Sequence, residues 1–174
     1  MRMKVTGVLK VPGFSTYLHP LGDGRLLGVG QGATAGGVTT GSKVSLFDVS
    51  NATRPQELAT WMLTCSASVA QWDHRAFLYW APERVAVLPV DLYEGNDGAG
   101  FSGAIALKIG NDSMLSTGRI AHPRCCGSFP YPQPIERNLV LGKLSLWSLS
   151  RSILQVNDIR SLKFRALVKL PDSV

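Results

Sequence analysis

One layout recurs three times along this chain, and no other feature restricts the fold as much. With Arg25 set over Arg84 and Lys143, both steps are 59 residues. In each copy a tight turn (GDGR, APER, LGK) separates two apolar runs: STYLHPL from RLLGVG, AFLYW from RVAVLPV, RNLVL from KLSLWSL. A third run follows (KVSLFDV, AIALKIG, ILQVNDI), and a fourth closes the unit (ELATWML, LSTGRIA, RALVKL). Units of this size cannot bury both faces of a sheet alone, so they must stack on one another. Four short strands per unit make the blade of a β-propeller. The expectation is an all-β domain over 5–170, a partial β-propeller of about three four-stranded antiparallel blades at 14–63, 71–121 and 135–170. Val5–Val11, placed like the closing strands of the later units, is expected to form one leading strand. Closed propellers carry roughly four to eight blades. Three blades leave open edges, which the remaining blades of a longer propeller or another copy of the chain would cover.

Composition narrows the partners. At 174 residues the chain can bury a real core, and 18 glycines and 10 prolines scattered between short apolar runs argue for turns rather than long helices. The net charge of +6 is spread singly along the chain instead of forming a stripe, which excludes nucleic acid from the expected partners. Cys65, Cys125 and Cys126 are odd in number and lack C-x-x-C spacing, so they define neither a disulfide framework nor a zinc site. No apolar run is long enough to span a membrane, and Met1–Lys10 lacks the apolar core of a signal peptide.

Strand order places the candidate site. In an up-and-down blade the loops between second and third strands, and the connections entering each new blade, emerge on one rim. That rim should gather the uncharged loop Gln31–Ser42, the polar loop Tyr93–Gly103 and the proline-dense passage His122–Pro134, which is expected to lie over the surface. The inner strands start at the same rim, with Gln71–Arg75 (QWDHR) read as the start of the second. Ser15, Asp73, His74, Arg75, Glu136 and Arg137 are therefore expected around the mouth of the central channel. Acid next to base can tie neighbouring blades together, or it can form a ligand site. Asp91, Glu94, Asn96 and Asp97 concentrate oxygen ligands of the kind Ca²⁺ accepts, without the spacing of an EF-hand loop. His19, before the first tight turn, is expected at the opposite end of its blade from His74, so His19, His74 and His122 should not form one metal site. No serine sits in a nucleophile-elbow pattern.

The phrases YLHPLGDGRLLGVGQ, KVSLFDVS, WDHRAFLYWAPERVAVLPV and PIERNLV resemble a bacterial and archaeal family of secreted proteins with a C-terminal β-propeller domain, distantly related to WD repeats. The resemblance spans about Val5 to Leu170. It implies an extracellular or cell-surface location and supplies no catalytic residues. LGKLSLWSLS departs from it where an acidic residue and a tyrosine are usual. The function expected is a non-enzymatic binding or scaffold module, contacting a protein or cell-surface ligand through the loop-rich rim with no cofactor. The alternative is a propeller hydrolase or Ca²⁺-dependent enzyme with its site at the channel mouth, using Asp73, His74 and the Asp91–Asp97 loop.

Overall fold

A computed structural model describes residues 4–93, 100–123 and 133–171. Its strands fall into three antiparallel sheets, as the repeat requires. The first blade is β1 (Phe14–Gly22), β2 (Arg25–Ala33), β3 (Thr39–Asp48) and β4 (Gln56–Thr64), paired in that order. The second contains β5 (Ser66–Ala67), β6 (Leu78–Trp80), β7 (Val85–Leu92), β8 (Phe101–Ile109) and β9 (Met114–Ile120). The third is β10 (Arg137–Leu141), β11 (Ser145–Leu149), β12 (Ile153–Asp158) and β13 (Phe164–Lys169), again in simple order.

The central strands of the middle blade, β7 and most of β8, are buried on both faces, and their alternation shows how. Ala86, Leu88 and Val90 of β7, with Ile105, Leu107 and Ile109 of β8, pack on Leu27, Val29, Val44 and Leu46 of the first blade. Val85, Val87, Ala104 and Ala106 point the other way, onto Leu146, Ile135 and Ile159. Successive side chains of a strand face opposite sides of its sheet, so a strand with neighbours on both sides must be apolar throughout. Val85 to Val90 are accordingly all buried.

The structural step differs from the sequence step. The second strands begin at Arg25, Val85 and Ser145, which are 60 residues apart (85 − 25 and 145 − 85), whereas the basic residues recur every 59. The hairpins absorb the difference. Two residues, Asp23-Gly24, join Gly22 to Arg25; four join Trp80 to Val85; three join Leu141 to Ser145. Asp23 and Gly24 both have positive φ (50° and 69°), the type I′ conformation expected of Asp-Gly. Arg25 consequently starts a strand, while Arg84 ends its turn in the left-handed region (φ 49°).

Three expectations need correction. Val5–Val11 is not a strand: it pairs with no edge among the described residues. Instead, Thr6 donates to the Ala52 carbonyl (3.2 Å), and Leu9 and Val11 line a shallow apolar hollow with Leu18, Leu26 and Phe47 on the far side of the first blade. The loop over Gln31–Ser42 is shorter than expected, since β2 and β3 run into it and leave only 34–38 between them. Gln71–Arg75 is not a strand either. The inner strand of the second blade is split into β5 and β6, which flank β7 at Asp91–Leu92 and Val85–Val87. Pro89 lies opposite the gap. It has no N–H for a ladder, and its carbonyl instead accepts from Ser68 Oγ at 2.6 Å. The chain between β5 and β6 detours through two 3₁₀ turns, Val69–Gln71 and His74–Ala76.

Candidate functional site

The detour over 68–77 builds the site. Ser68 caps the first turn by accepting from the Ala70 N–H, and Asp73 caps the second by accepting from the Arg75 N–H. Between them, Gln71 is buried and reaches the first blade. Its amide accepts from Gln31 Nε2 (2.9 Å) and donates to the Gly30 carbonyl (3.3 Å) and Ser42 Oγ (3.4 Å). The next residue, Trp72, is 69% exposed. A large aromatic ring is thus held in solvent on a segment pinned at both sides.

Asp73 joins the second blade to the third. Its Oδ2 lies 2.6 Å from Arg137 Nη2, and its Oδ1 lies 3.1 Å from Arg75 Nε. The hydrogen bonds from Arg75, with the charge of Arg137 added, outweigh desolvation and hold the Asp73 carboxyl below its ordinary range. Arg137 also donates to the Glu136 carbonyl (2.7 Å), and the Glu136 carboxylate faces Arg151 at 3.5 Å. Asp73, Arg75, Arg137 and Glu136 are therefore one polar cluster across a blade boundary. His74 turns towards the first blade and stacks on Tyr17, with ring centroids 5.4 Å apart.

Ser15 does not join them. It lies with Leu9, Val11 and Phe47 on the far side of the first sheet. His19 and His74, expected at opposite ends of their blades, meet through one ring. Tyr17 hydroxyl and His19 Nδ1 are 3.0 Å apart, and Tyr17 also packs on His74 and Phe77. The cause is the detour, which carries His74 away from the strand start it would otherwise occupy. Burial lowers the pKa of His19 within this aromatic group.

His122, expected on the surface, is only 2% exposed. Its Nδ1 lies 2.9 Å from Ser150 Oγ and its Nε2 2.8 Å from Ser148 Oγ, both on the third blade. Burial lowers its pKa to about 4, keeping the ring neutral. Nothing local in the sequence announces this clamp, because its partners lie 26 and 28 residues downstream. The Gln71 and Trp72 detour did leave a signal: Ser68 and Asp73 are cap-type residues, each two positions before a backbone N–H they bind.

Of the proposed calcium ligands, Asp91 accepts from Ser102 Oγ at 2.6 Å, and Glu94, Asn96 and Asp97 lie outside the described residues. Cys125 and Cys126 lie outside them too, while Cys65 is an exposed thiol. Among the described residues no three His, Cys, Asp or Glu side chains are grouped to hold a metal, and no helix is long and apolar enough to cross a membrane.

Stacked antiparallel blades whose middle member has its central strands buried on both faces place the molecule in the propeller class. The model of one family, described as a beta propeller domain, matches residues 2–162. The chain belongs to that family. It is similar to an uncharacterized protein of Archaeoglobus fulgidus, 38% identical over 106 residues, which is 61% of this chain and 16% of that one. It is likewise similar to an uncharacterized protein of Methanocaldococcus jannaschii, 37% identical over 86 residues, 49% of this chain and 13% of that one. The chain thus spans a small fraction of the length of these archaeal relatives.

Proposed function

We propose that the chain is a non-enzymatic binding module of a secreted or cell-surface propeller protein, and that it holds a protein or cell-surface ligand against the rim carrying Trp72. The fold supports binding or scaffolding in general, since propellers present loops on a rigid frame. The observation that carries the finer reading is Trp72 itself. An indole this exposed has water against its apolar surface, and the capped, hydrogen-bonded detour beneath it spares a partner most of the ordering cost. Exposed guanidinium groups lie at Arg75, on the same detour, and at Arg151, across the blade boundary. Trp and Arg are the residues that most often dominate the energy of protein contacts. Asp73, whose two oxygens are both engaged by arginines, orients this surface rather than serving as a base.

The test is co-sedimentation of the purified protein with envelope fragments from the cells that encode it. Wild type should pellet with the envelope, and Trp72→Ala should stay in the supernatant with its thermal midpoint unchanged. Equal pelleting of both, or no pelleting of the wild type, would remove the proposal.

A further inference from the structure

The opposite rim, formed by the hairpin turns, carries a second feature. There the hairpin of one blade meets the turn between third and fourth strands of the next, and this junction occurs twice. Between the second and third blades it is closed by an ion pair, in which Glu83 Oε1 accepts from Arg160 Nε (2.9 Å) and Nη2 (2.6 Å). Between the first and second blades, among the described residues, no carboxylate is paired with an arginine. Arg25 Nη1 reaches across from the first blade to the Asn111 carbonyl. From the second blade, Arg84 Nη1 donates to Asn111 Oδ1 (3.0 Å) and its Nη2 to the Gly110 carbonyl (2.7 Å). Two guanidinium groups converge on one neutral asparagine, and neither has an ion-pair partner among the described residues.

They also share a cleft. A cavity of about 470 Å³ opens between Leu21, Asp23, Arg25, Tyr79, Arg84 and Asn111. A guanidinium presents five N–H donors, and the contacts above use one on Arg25 and two on Arg84. The remaining donors have no partner among the described residues and can form the paired, charge-assisted contacts that planar oxyanions accept. Two carboxylates stand nearby. Asp23 lies on the lip of the cleft, giving two cations against one anion there. Asp48 sits opposite Arg25 in the ladder: the N–H and hydroxyl of Ser50 occupy its Oδ1, and the charge of Arg25 adds to those bonds in lowering its pKa, so it offsets part of that guanidinium's charge without pairing with it. The backbone beneath is fixed: Arg84 donates its N–H to Ala81 (3.0 Å) and accepts from Ile109 (2.8 Å). Tyr79 adds a phenol, its ring held edge-on to His19.

We infer that the Arg25–Arg84 cleft between the first and second blades is a binding site for a small oxyanion, a carboxylate or phosphate group seated on both guanidinium forks. The Glu83–Arg160 pair is the same junction with its own carboxylate in place. The site lies on the other rim from Trp72 and stands independently of that surface.

Calorimetric titration at low salt with sodium phosphate, sodium citrate and uncharged glucose tests this. The wild type should bind at least one of the two anions and not glucose, and the stronger of the two identifies the source of the oxyanion. Arg84→Ala should weaken that binding about tenfold or more, Arg84→Lys should weaken it less, and Glu83→Ala at the other junction should leave it unchanged. Arg84 bonds only within its own blade, so its variants keep the contact by which Arg25 spans the boundary. Absence of binding to both anions, or equal affinity in wild type and Arg84→Ala, would overturn the inference.

Discussion

Among the described residues, thirteen buried apolar side chains pack between the first and second blades, and eight between the second and third. Both boundaries also bury polar groups: Ser42, Ser66 and Gln71 bond one another and the backbone at the first, but only the second buries a histidine ring among them. His122, Asn138, Ser148, Ser150, Gln155 and Asn157 are all buried in or beside the third blade. Some are well satisfied: Gln155 donates to Asn157 Oδ1 and Asn157 to the Leu162 carbonyl, both at 2.8 Å. Asn138 is not, for both ends of its amide are buried with no partner among the described residues. The contrast teaches that one repeat can be joined to the next in two ways. Aliphatic burial is indifferent to pH, whereas a buried polar network depends on the charge state of each member.

The largest test of this contrast is at the apolar boundary. Leu107, fully buried, should cost roughly 3–5 kcal/mol on truncation to alanine, through lost transfer energy and the cavity left behind. Urea unfolding should show that loss equally at pH 7 and pH 5. A pH-dependent difference between Leu107→Ala and wild type would mean that the packing around Leu107 is coupled to a titrating group such as His19.

The next test acts on the second boundary through His122. Its folded pKa is about 4 against 6.5 for the free group, so the unfolded chain binds the proton more tightly. The stability from keeping this ring neutral is complete above pH 6.5 and is lost as pH falls towards 4. About 3 kcal/mol should disappear across that window. Urea midpoints measured in steps through it would show the slope, and His122→Leu should flatten it. A wild-type slope no steeper than that of the variant would place the acid sensitivity elsewhere.

The smallest test works in the opposite direction. Asn138→Leu removes two unsatisfied polar atoms from the second boundary and should raise stability by about 1 kcal/mol, read as a higher urea midpoint at pH 7. A loss of stability would show that the amide has a role in the network.

The parts of the fold visible from the sequence were those governed by short-range chemistry. Asp23-Gly24 requires a type I′ hairpin, and the continuous apolar run at Val85–Val90 requires a strand covered on both faces. The inner strand of the second blade was misread because Pro89 breaks the ladder from across the sheet, and its effect falls on residues about twenty positions earlier. The candidate site divided in the same way. Asp73, Arg75, Glu136 and Arg137 were placed together by strand order, and the structure ties them into one network. Ser15 was assigned to that group by its place near a strand start alone, and it lies instead with Leu9, Val11 and Phe47 on the other face of the first sheet. The meeting of His19 with His74 and the burial of His122 depend on contacts between units, which no single repeat encodes.

Hairpins of two, four and three residues connect strands that nevertheless begin at a constant interval. These connections take up differences in length, so copies of the module can vary there without turning their inward side chains to water. The same tolerance let a basic residue move from the sheet at Arg25 to the turn at Arg84, bringing two positive charges from successive copies to one seam. A chain that grows by duplication can in this way acquire new chemistry at its joints while the copied modules stay in phase.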